Sequence, residues 1–284
     1  MIAGAALLLG AGPCWGQQVI KGNIRGGKCG AGVPFANVGI VGKGVGTVAN
    51  EQGAYQLAYS AATANDTVRI SSLGFRSRLL PVRALAAQPD VELVAEAVAL
   101  REVNVKARGL YRRTHTLGST KSGAGSTLTL DANDLGAEIG TVISLKRKPT
   151  RVLNANFTVA FNRAGAMKFR VNLYRLLPNG KPSDQKLLQR DVIVTSSVVQ
   201  GPITVDLTAD QLVLDEDFLL SLEWIGGADA QRVGNQLAFS AGLGYTDNDL
   251  YLRAASQDNW ERVSTGAVLA GLQPKISFYV TVQD

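Results

Sequence analysis

Short runs in which every second residue is apolar recur along the first hundred residues. "AYQLAYS" places Tyr55 and Leu57 on one face, and "DTVRISSLGF" alternates Val68 and Ile70 with polar residues. Alternation with period two, broken by Gly, Asn and Asp, predicts antiparallel strands with one buried face. One strand and turn every eight to twelve residues is typical of a β-sandwich.

Longer runs of the same kind follow from Gly136 to Asp284. Asn179-Gly180, flanked by prolines in "LLPNGKPSD", marks a tight turn between two of them. The spacing predicts a second, larger sandwich of jelly-roll type. The runs are "GTVISLKRK", "NANFTVAFN", "MKFRVNLYRL", "ITVDLT", "DFLLSLEWI", "QLAFSAGL", "DLYLRAAS" and "ISFYVTVQ".

The segment between these two regions is polar and basic. Residues 101–121 hold six Lys or Arg and one Glu, a net +5 of the chain's +6. We interpret residues 106–135 as a Gly/Ser/Thr-rich linker whose charges are solvated. Since the flanking regions are close to neutral, we expect no nucleic-acid partner; anionic lipid or lipopolysaccharide at an envelope surface is a weaker alternative.

The N-terminus, "MIAGAALLLGAGPCWG", is an apolar run that ends in small residues. It is too short to cross a bilayer and suits a secretory signal cleaved after Gly16, although no basic residue precedes it. No later run is long enough for a membrane helix. We therefore expect an exported chain without a transmembrane span, which is periplasmic, outer-membrane associated or extracellular. Cleavage would leave Cys29 as the only cysteine, without a disulfide partner.

The first region resembles the carboxypeptidase regulatory-like domain, a small prealbumin-like sandwich common in exported proteins of the Bacteroidetes. The resemblance covers residues 19 to about 105. It rests on Lys21-Gly22, "GVPFANV", Gly46-Thr47, Gly53-Ala54-Tyr55 and "SSLGF". On this basis the glycine-rich stretch "GVGTVANEQGAYQL" is a hairpin of the fold and does not bind a phosphate or sugar.

Residues 134–284 are similar to the C-terminal part of Bacteroidetes proteins that are described only by their carboxypeptidase-like regulatory domain. That resemblance implies no activity. The predicted organisation is a signal peptide at 1–16, a regulatory-like sandwich at 17–105, the linker at 106–135 and a jelly-roll-like sandwich at 136–284. The fold class is all-β.

Catalytic residues are not evident. The one histidine, His115, stands in the basic segment, and no zinc motif, P-loop or Cys-x-x-Cys occurs. We therefore predict no enzyme activity, no cofactor and no metal site. Two acidic clusters keep alternatives open, because carboxylates can bind calcium or serve a hydrolase; they are Asp215, Glu216 and Asp217, and Asp247, Asn248 and Asp249.

Aromatic residues supply the remaining candidates for ligand binding. Trp224 is in phase with Leu220 and Leu222, which indicates a core position. Tyr245, Tyr251 and Trp260 would form a carbohydrate-binding patch if exposed. The sequence thus predicts an exported, non-catalytic envelope accessory or interaction protein that binds a protein or a glycan, with a carbohydrate-binding module as the alternative.

Overall fold

The structure is a computed structural model that describes residues 17–27, 30–96, 111–121, 127–131, 135–163, 165–227, 236–244, 249–263 and 273–284. The predicted signal peptide and Cys29 lie outside these ranges. The described residues form two large hydrophobic cores, one within residues 20–93 and one within residues 117–282, and a small third cluster of Tyr174, Leu219 and Tyr251. Among the described residues, no helix has the length and apolar character needed to cross a membrane.

The first domain is a sandwich of two four-stranded sheets. Its elements are β1 (Gln18–Gly26), β2 (Ala31–Gly32), β3 (Asn37–Ile40), β4 (Gly46–Val48), β5 (Ala54–Tyr59), β6 (Thr67–Ser71), β7 (Arg78–Pro81), the helix α1 (Val82–Ala87) and β8 (Val91–Leu93). One sheet has the order β2-β1-β5, with β8 pairing parallel to β1, and the other has the order β4-β3-β6-β7. The alternating side chains of these strands fill the core, as the sequence predicts.

The glycine-rich stretch is not a hairpin. β4 pairs with β3, whereas β5 pairs with β1 in the other sheet, so the chain crosses between sheets at this point. The crossing turn is held by Asn50, whose Oδ1 accepts hydrogen bonds from Gln52 N and Ala54 N at 3.0 and 2.9 Å. Gly53 has a φ of +82°, which glycine adopts without strain. Sequence periodicity locates both strands correctly but does not indicate which partner each one takes.

The second domain is a larger antiparallel sandwich. The strands are β9 (Thr114–Gly118), β10 (Thr127–Asp131), β11 (Glu138–Ile143), β12 (Thr150–Asn162), β13 (Met167–Leu176), β14 (Pro182–Lys186), β15 (Val192–Ser196), β16 (Gly201–Asp206), β17 (Val213–Leu214), β18 (Phe218–Gly226), β19 (Gln236–Gly244), β20 (Leu250–Arg253), β21 (Glu261–Arg262), β22 (Gln273–Ile276) and β23 (Phe278–Gln283). The seven-stranded sheet has the order β14-β13-β18-β11-β20-β21, with β15 beside β13. The eight-stranded sheet has the order β10-β19-β12-β23-β9, with β16 and β17 beside β12 and β22 beside β19.

Part of the predicted linker belongs to this second sandwich. β9 pairs with β23, and β10 pairs with β19, so residues 114–118 and 127–131 are strands and not a connector. At β9 the prediction is wrong because the strand is short and polar, and Leu117 is its one side chain that enters the core, which leaves almost no hydrophobic alternation to detect. β10 does alternate Leu128 and Leu130 with threonines, but over only five residues.

The two domains are packed against each other. Glycines of the first domain lie against residues 254–258 of the second: a Cβ added at Gly46 would be 2.7 Å from Ala255 Cβ, and one added at Gly39 would be 2.8 Å from Gln257 Cγ. Gly42 N also donates a hydrogen bond to Gln257 O at 3.0 Å. The absence of side chains at these glycines lets the domains approach closely.

Side chains introduced at Gly46 are expected to destabilise the protein in order of size. Alanine should cost about 1 kcal/mol and valine about 3 kcal/mol, because each overpacks the contact with Ala255. Urea denaturation of the two variants measures this. The φ of Gly46 is not positive, so alanine can adopt the same backbone conformation. If alanine only reduced the entropy of the unfolded chain, the alanine variant would be more stable than the wild type. That result would contradict the packing argument.

Candidate binding cleft between the two domains

A row of four charged side chains crosses the outer face of the seven-stranded sheet. Cross-strand register places Arg170 of β13 opposite Glu223 of β18, Glu223 opposite Glu138 of β11, and Glu138 opposite Arg253 of β20. We call Arg170, Glu223, Glu138 and Arg253 the charge row. All four are at most 5% exposed, although the sandwich core lies on the other face of the sheet.

The two ends of the charge row are ion pairs. Arg170 Nη1 donates to Glu223 Oε2 at 2.9 Å, and Arg253 Nε donates to Glu138 Oε2 at 2.8 Å. The two central glutamates would repel one another directly. Asn172 Nδ2 lies between them and donates to Glu138 Oε1 at 2.8 Å and to Glu223 Oε2 at 3.1 Å. Ser221 Oγ adds a further hydrogen bond to Glu138 Oε1 at 2.5 Å.

Arg170 also joins the two domains. Its Nη2 donates to the backbone oxygen of Phe35, and its Nη1 lies 3.3 Å from Asn37 Oδ1. Its Nε is buried without a hydrogen bond, 3.2 Å from Asp191 Oδ1. One guanidinium therefore contacts the buried carboxylate of its own sheet and the backbone of the neighbouring domain.

Arg253 at the other end of the row is enclosed by aromatic rings. Its guanidinium lies 5.2 Å from the Tyr174 ring centroid and 4.4 Å from that of Trp260, at cation–π distance. Its Nη2 donates to the Tyr174 hydroxyl at 2.7 Å. Burial opposes the charge of Arg253, but Glu138 and its neighbours outweigh burial and raise the pKa of Arg253. The guanidinium is thus fixed in position and permanently charged.

Above the charge row, a polar cleft of about 420 Å³ opens between the domains. This volume falls within the range of small-molecule sites. The first domain contributes Asn37, Arg69, Ser71, Ser72, Leu73 and Ser77. The second contributes Arg170, Tyr174, Asp184, Gln185, Lys186, Leu187, Leu188, Gln189, Asp191, Arg253, Ser256 and Gln257.

Two cations at this cleft lack a carboxylate partner among the described residues. Arg69 makes its one side-chain hydrogen bond to Ser77 Oγ, at 3.2 Å, and Lys186 forms no ion pair. Burial, and then the charge of Arg170, lowers the pKa of Lys186. By contrast, Arg170 and Arg253 are neutralised by the charge row, by Asp191 and by Asp184. The cleft and the charge row beneath it therefore hold four cations balanced by four carboxylates, together with many hydroxyl and amide groups.

The charge row makes the protein sensitive to acid. Burial favours neutral Glu223, but Arg170, Lys186 and other neighbours together outweigh it and lower the pKa of Glu223. A lowered folded-state pKa contributes stability that is present above the unfolded value, near pH 4, and is lost as the pH falls through the folded value.

We expect the free energy of unfolding to fall as the pH is lowered below about 4, and to fall less steeply with pH in Glu223→Gln. Urea denaturation from pH 3 to 7 measures both slopes; Glu216→Gln, which alters a half-exposed surface pair, is the control. Equal slopes for the wild type and Glu223→Gln would contradict the assignment.

Tyr251 and Trp260, two of the three aromatic residues predicted to bind carbohydrate, do not form an exposed platform. Tyr245 lies outside the described residues. Tyr251 is 7% exposed and belongs to a small cluster with Tyr174 and Leu219. Trp260 packs against this cluster, with its ring against the Arg253 guanidinium. The structure thus brings Tyr251 and Trp260 together, but as packing partners. Trp224 is 1% exposed in the sandwich core.

Three of the acidic side chains predicted as alternatives form hydrogen bonds or ion pairs with neighbouring strands and loops. Asp217 Oδ1 accepts a hydrogen bond from Leu145 N at 3.0 Å, Glu216 pairs with Arg175 at 2.6 Å, and Asp249 pairs with Lys275 at 3.1 Å. Asp247 and Asn248 lie outside the described residues. Within the described ranges, no three His, Cys, Asp or Glu side chains are grouped to hold a metal ion.

His115 is part of a strand and not of a linker. It lies on β9 opposite Val282, with Nε2 3.5 Å from a carboxylate oxygen of Asp284. It does not line the cleft.

Sequence reasoning missed the charge row and the cleft. In "MKFRVNLYRL", Arg170, Asn172 and Tyr174 alternate with apolar residues, which resembles the solvent-exposed face of an ordinary strand. A usable signal is the same alternation in "LSLEWI", where Ser221 and Glu223 stand between apolar residues. Two such strands side by side indicate a continuous polar stripe across one face of the sheet. Only the tertiary structure shows that a second domain covers this face.

One family model matches the chain. Residues 20–105 match the CarboxypepD_reg-like domain. The chain therefore contains a carboxypeptidase regulatory-like domain, which confirms that part of the sequence prediction. No curated protein is significantly similar to the chain.

Some solved structures are distantly similar. The cysteine protease and lectin-like domains of Cwp84, a surface layer associated protein of Clostridium difficile, share 14% identity over 55% of this chain, with a TM-score of 0.37. The clostridial protease Cwp84 after propeptide cleavage shares 12% identity over 94% of this chain and 70% of its own, with a TM-score of 0.41. The infectious bursal disease virus Gt strain shares 10% identity over 93% of this chain and 63% of its own, with a TM-score of 0.30. This chain spans 36% of the first of these structures.

Proposed function

We propose that the protein is an exported, non-catalytic interaction protein of the cell envelope, and that its ligand occupies the interdomain cleft. The observation that carries this proposal is the cleft itself, which is polar, lined by charges of both signs and built from both domains. Its floor is held by the charge row, so the site is preformed. Preformed concave sites with a few fixed polar groups are typical of ligand binding.

Export is supported by the apolar N-terminal run that ends at Gly16. The absence of catalysis is supported by the chemistry of the cleft. Its carboxylates, Asp184 and Asp191, pair with Arg253 and Arg170 at 3.3 and 3.2 Å, and no histidine or cysteine is among the described residues that line it. This arrangement suits recognition of a ligand better than proton transfer to it.

Two measurements test the proposal. Cell fractionation with N-terminal sequencing is expected to recover a chain that starts at Gln17 from the envelope or the medium; an intact N-terminus in the cytoplasm would contradict export. Purified residues 17–284 are expected to bind isolated lipopolysaccharide, peptidoglycan or outer-membrane vesicles without degrading them. Hydrolysis of any of these, or binding to none, would contradict the interaction role.

Carbohydrate binding is a second candidate. It is favoured by the many hydroxyl and amide side chains that line the cleft, among them Ser71, Ser256, Gln189 and Gln257. Such groups form the paired donor and acceptor contacts that sugar hydroxyls need. A glycan array with residues 17–284 tests this candidate, and an array without signal would eliminate it.

A further inference from the structure

We propose that Lys186 is a nucleophilic amine, and that it captures a hydroxylated aldehyde, such as the open-chain form of a reducing sugar, as an imine in the interdomain cleft. The inference rests on the proposed binding role of the cleft and names the chemical class of its ligand. It assigns a covalent bond without catalytic turnover, and it requires no net charge in the cleft.

Lys186 directs its side chain to the cleft. It ends β14 and lies opposite Tyr174 of β13 in the sheet register, so it shares the outer face of the sheet with Tyr174 and Arg170. The side chain is half-buried and lines the cavity. Among the described residues it forms neither a hydrogen bond nor an ion pair. A ligand in the cleft therefore meets an amine that is not bound to a neighbouring side chain.

The surroundings of Lys186 favour the neutral form of its amine, which is the nucleophilic form. Burial, and then the charge of Arg170, lowers the pKa of Lys186. Three carboxylates act in the opposite direction but are outweighed; they belong to Glu223, Asp191 and Glu138. The other charged or titratable groups that line the cleft are Arg69, Tyr174, Asp184 and Arg253. Desolvation beside a second cation is the arrangement that activates a lysine toward carbonyl groups.

The capture is an addition followed by the loss of water. The lone pair on Lys186 Nζ attacks the carbonyl carbon, the π electrons of the C=O bond move to the oxygen, and a proton passes from nitrogen to this oxygen. The carbon–oxygen bond of the resulting carbinolamine then breaks. The hydroxyl group leaves with the second amine proton as water, and the C=N bond forms. The step needs no oxidant or reductant.

The wall of the cleft suits a ligand that carries hydroxyl groups. Hydroxyl and amide side chains from both domains form much of it, among them Ser71, Ser77, Gln189, Ser256 and Gln257. Asp184 and Asp191 add carboxylate oxygens, which accept hydrogen bonds from hydroxyl groups. The cavity of about 420 Å³ is of a suitable size for a small ligand. A hydroxylated aldehyde can thus hydrogen-bond to the wall while its carbonyl carbon contacts Lys186.

Reductive trapping of residues 17–284 with glyceraldehyde tests the inference. Sodium cyanoborohydride reduces each imine to a stable secondary amine, and mass spectrometry of the peptides gives the labelling rate of each lysine. At pH 7 we expect Lys186 to be labelled at least about fivefold faster than Lys181, an exposed lysine just before β14. Propanal has the same carbon chain without the hydroxyl groups, and we expect it to give a smaller ratio of Lys186 to Lys181 labelling.

Two variants relate the reactivity of Lys186 to the charges around it. Asp191→Asn removes a carboxylate that raises the pKa of Lys186, so we expect faster labelling of Lys186 and an unchanged rate at Lys181. Glu216→Gln alters a half-exposed surface pair and is the matched control, in which both rates stay unchanged. Thermal unfolding of each variant verifies that it is folded.

Labelling of Lys186 that is no faster than that of Lys181 would overturn the inference. Equal labelling ratios for glyceraldehyde and propanal, or an unchanged Lys186 rate in Asp191→Asn, would overturn it as well. These failures are distinguishable from a failure of the envelope role, because binding of residues 17–284 to envelope components is measured without an aldehyde or a reductant. Rapid labelling of Lys186 in a protein that binds no envelope component would contradict the envelope role alone.

Discussion

Replacing Arg170 by methionine is expected to lower the free energy of unfolding by about 3–5 kcal/mol. The change leaves Glu223 fully buried without its ion pair and removes the hydrogen bonds from Arg170 to Phe35 and Asn37. The cost comes mainly from the uncompensated buried carboxylate, because an intact buried pair contributes little net stability. Urea denaturation at pH 7 measures it.

Two further variants make this prediction specific. Arg190→Met breaks a pair with Asp210 at 2.7 Å in which the guanidinium is half-exposed, and is expected to cost about 1 kcal/mol. Arg170→Met combined with Glu223→Leu removes both buried charges, and should recover part of the loss seen in the single variant. Equal losses in the free energy of unfolding for Arg170→Met and Arg190→Met would contradict the energetic role of the charge row. A double variant that is less stable than Arg170→Met would contradict it as well.

Replacing Trp224 by alanine is expected to cost about 3–5 kcal/mol through the cavity that it leaves. Trp224 is 1% exposed and makes an edge-to-face contact with Phe169 at 5.1 Å between ring centroids. Phe239 lies against Phe169 at 6.1 Å, so the cavity would open in the centre of the sandwich. Chemical denaturation of the purified variant measures the loss.

Trp260→Ala is the matched control for the Trp224 variant. Trp260 is half-buried on the outer face of the sheet, where it covers Arg253. Losing that contact is expected to cost about 1–2 kcal/mol. A larger loss for Trp260→Ala than for Trp224→Ala would mean that the outer layer stabilises the domain more than its core does, contrary to the packing described.

Much of the architecture follows from local pattern. β13 and β18 match the runs "MKFRVNLYRL" and "DFLLSLEWI" almost residue for residue, and in the first of them Phe169, Val171 and Leu173 alternate regularly. Asn179-Gly180 predicts the turn after β13, and Gly180 has a φ of +77°. Where the pattern is weak, as in β9, the prediction is wrong, because pairing with the distant strand β23 determines the structure.

The candidate site was much less predictable. Glu138 and Arg253 are 115 positions apart and become neighbours only through the pairing of β11 with β20. Arg69 and Lys186 belong to different domains, so no local sequence pattern relates them. Alternation shows that a side chain points away from a core. It does not show whether solvent or another domain covers that side chain.

The central claim is that the two domains form one unit across the charge row, which keeps the cleft preformed. Differential scanning calorimetry of residues 17–284 tests it most directly. We predict a single transition in the wild type, with the calorimetric enthalpy equal to the van't Hoff enthalpy. Two independent transitions in the wild-type protein would contradict the claim.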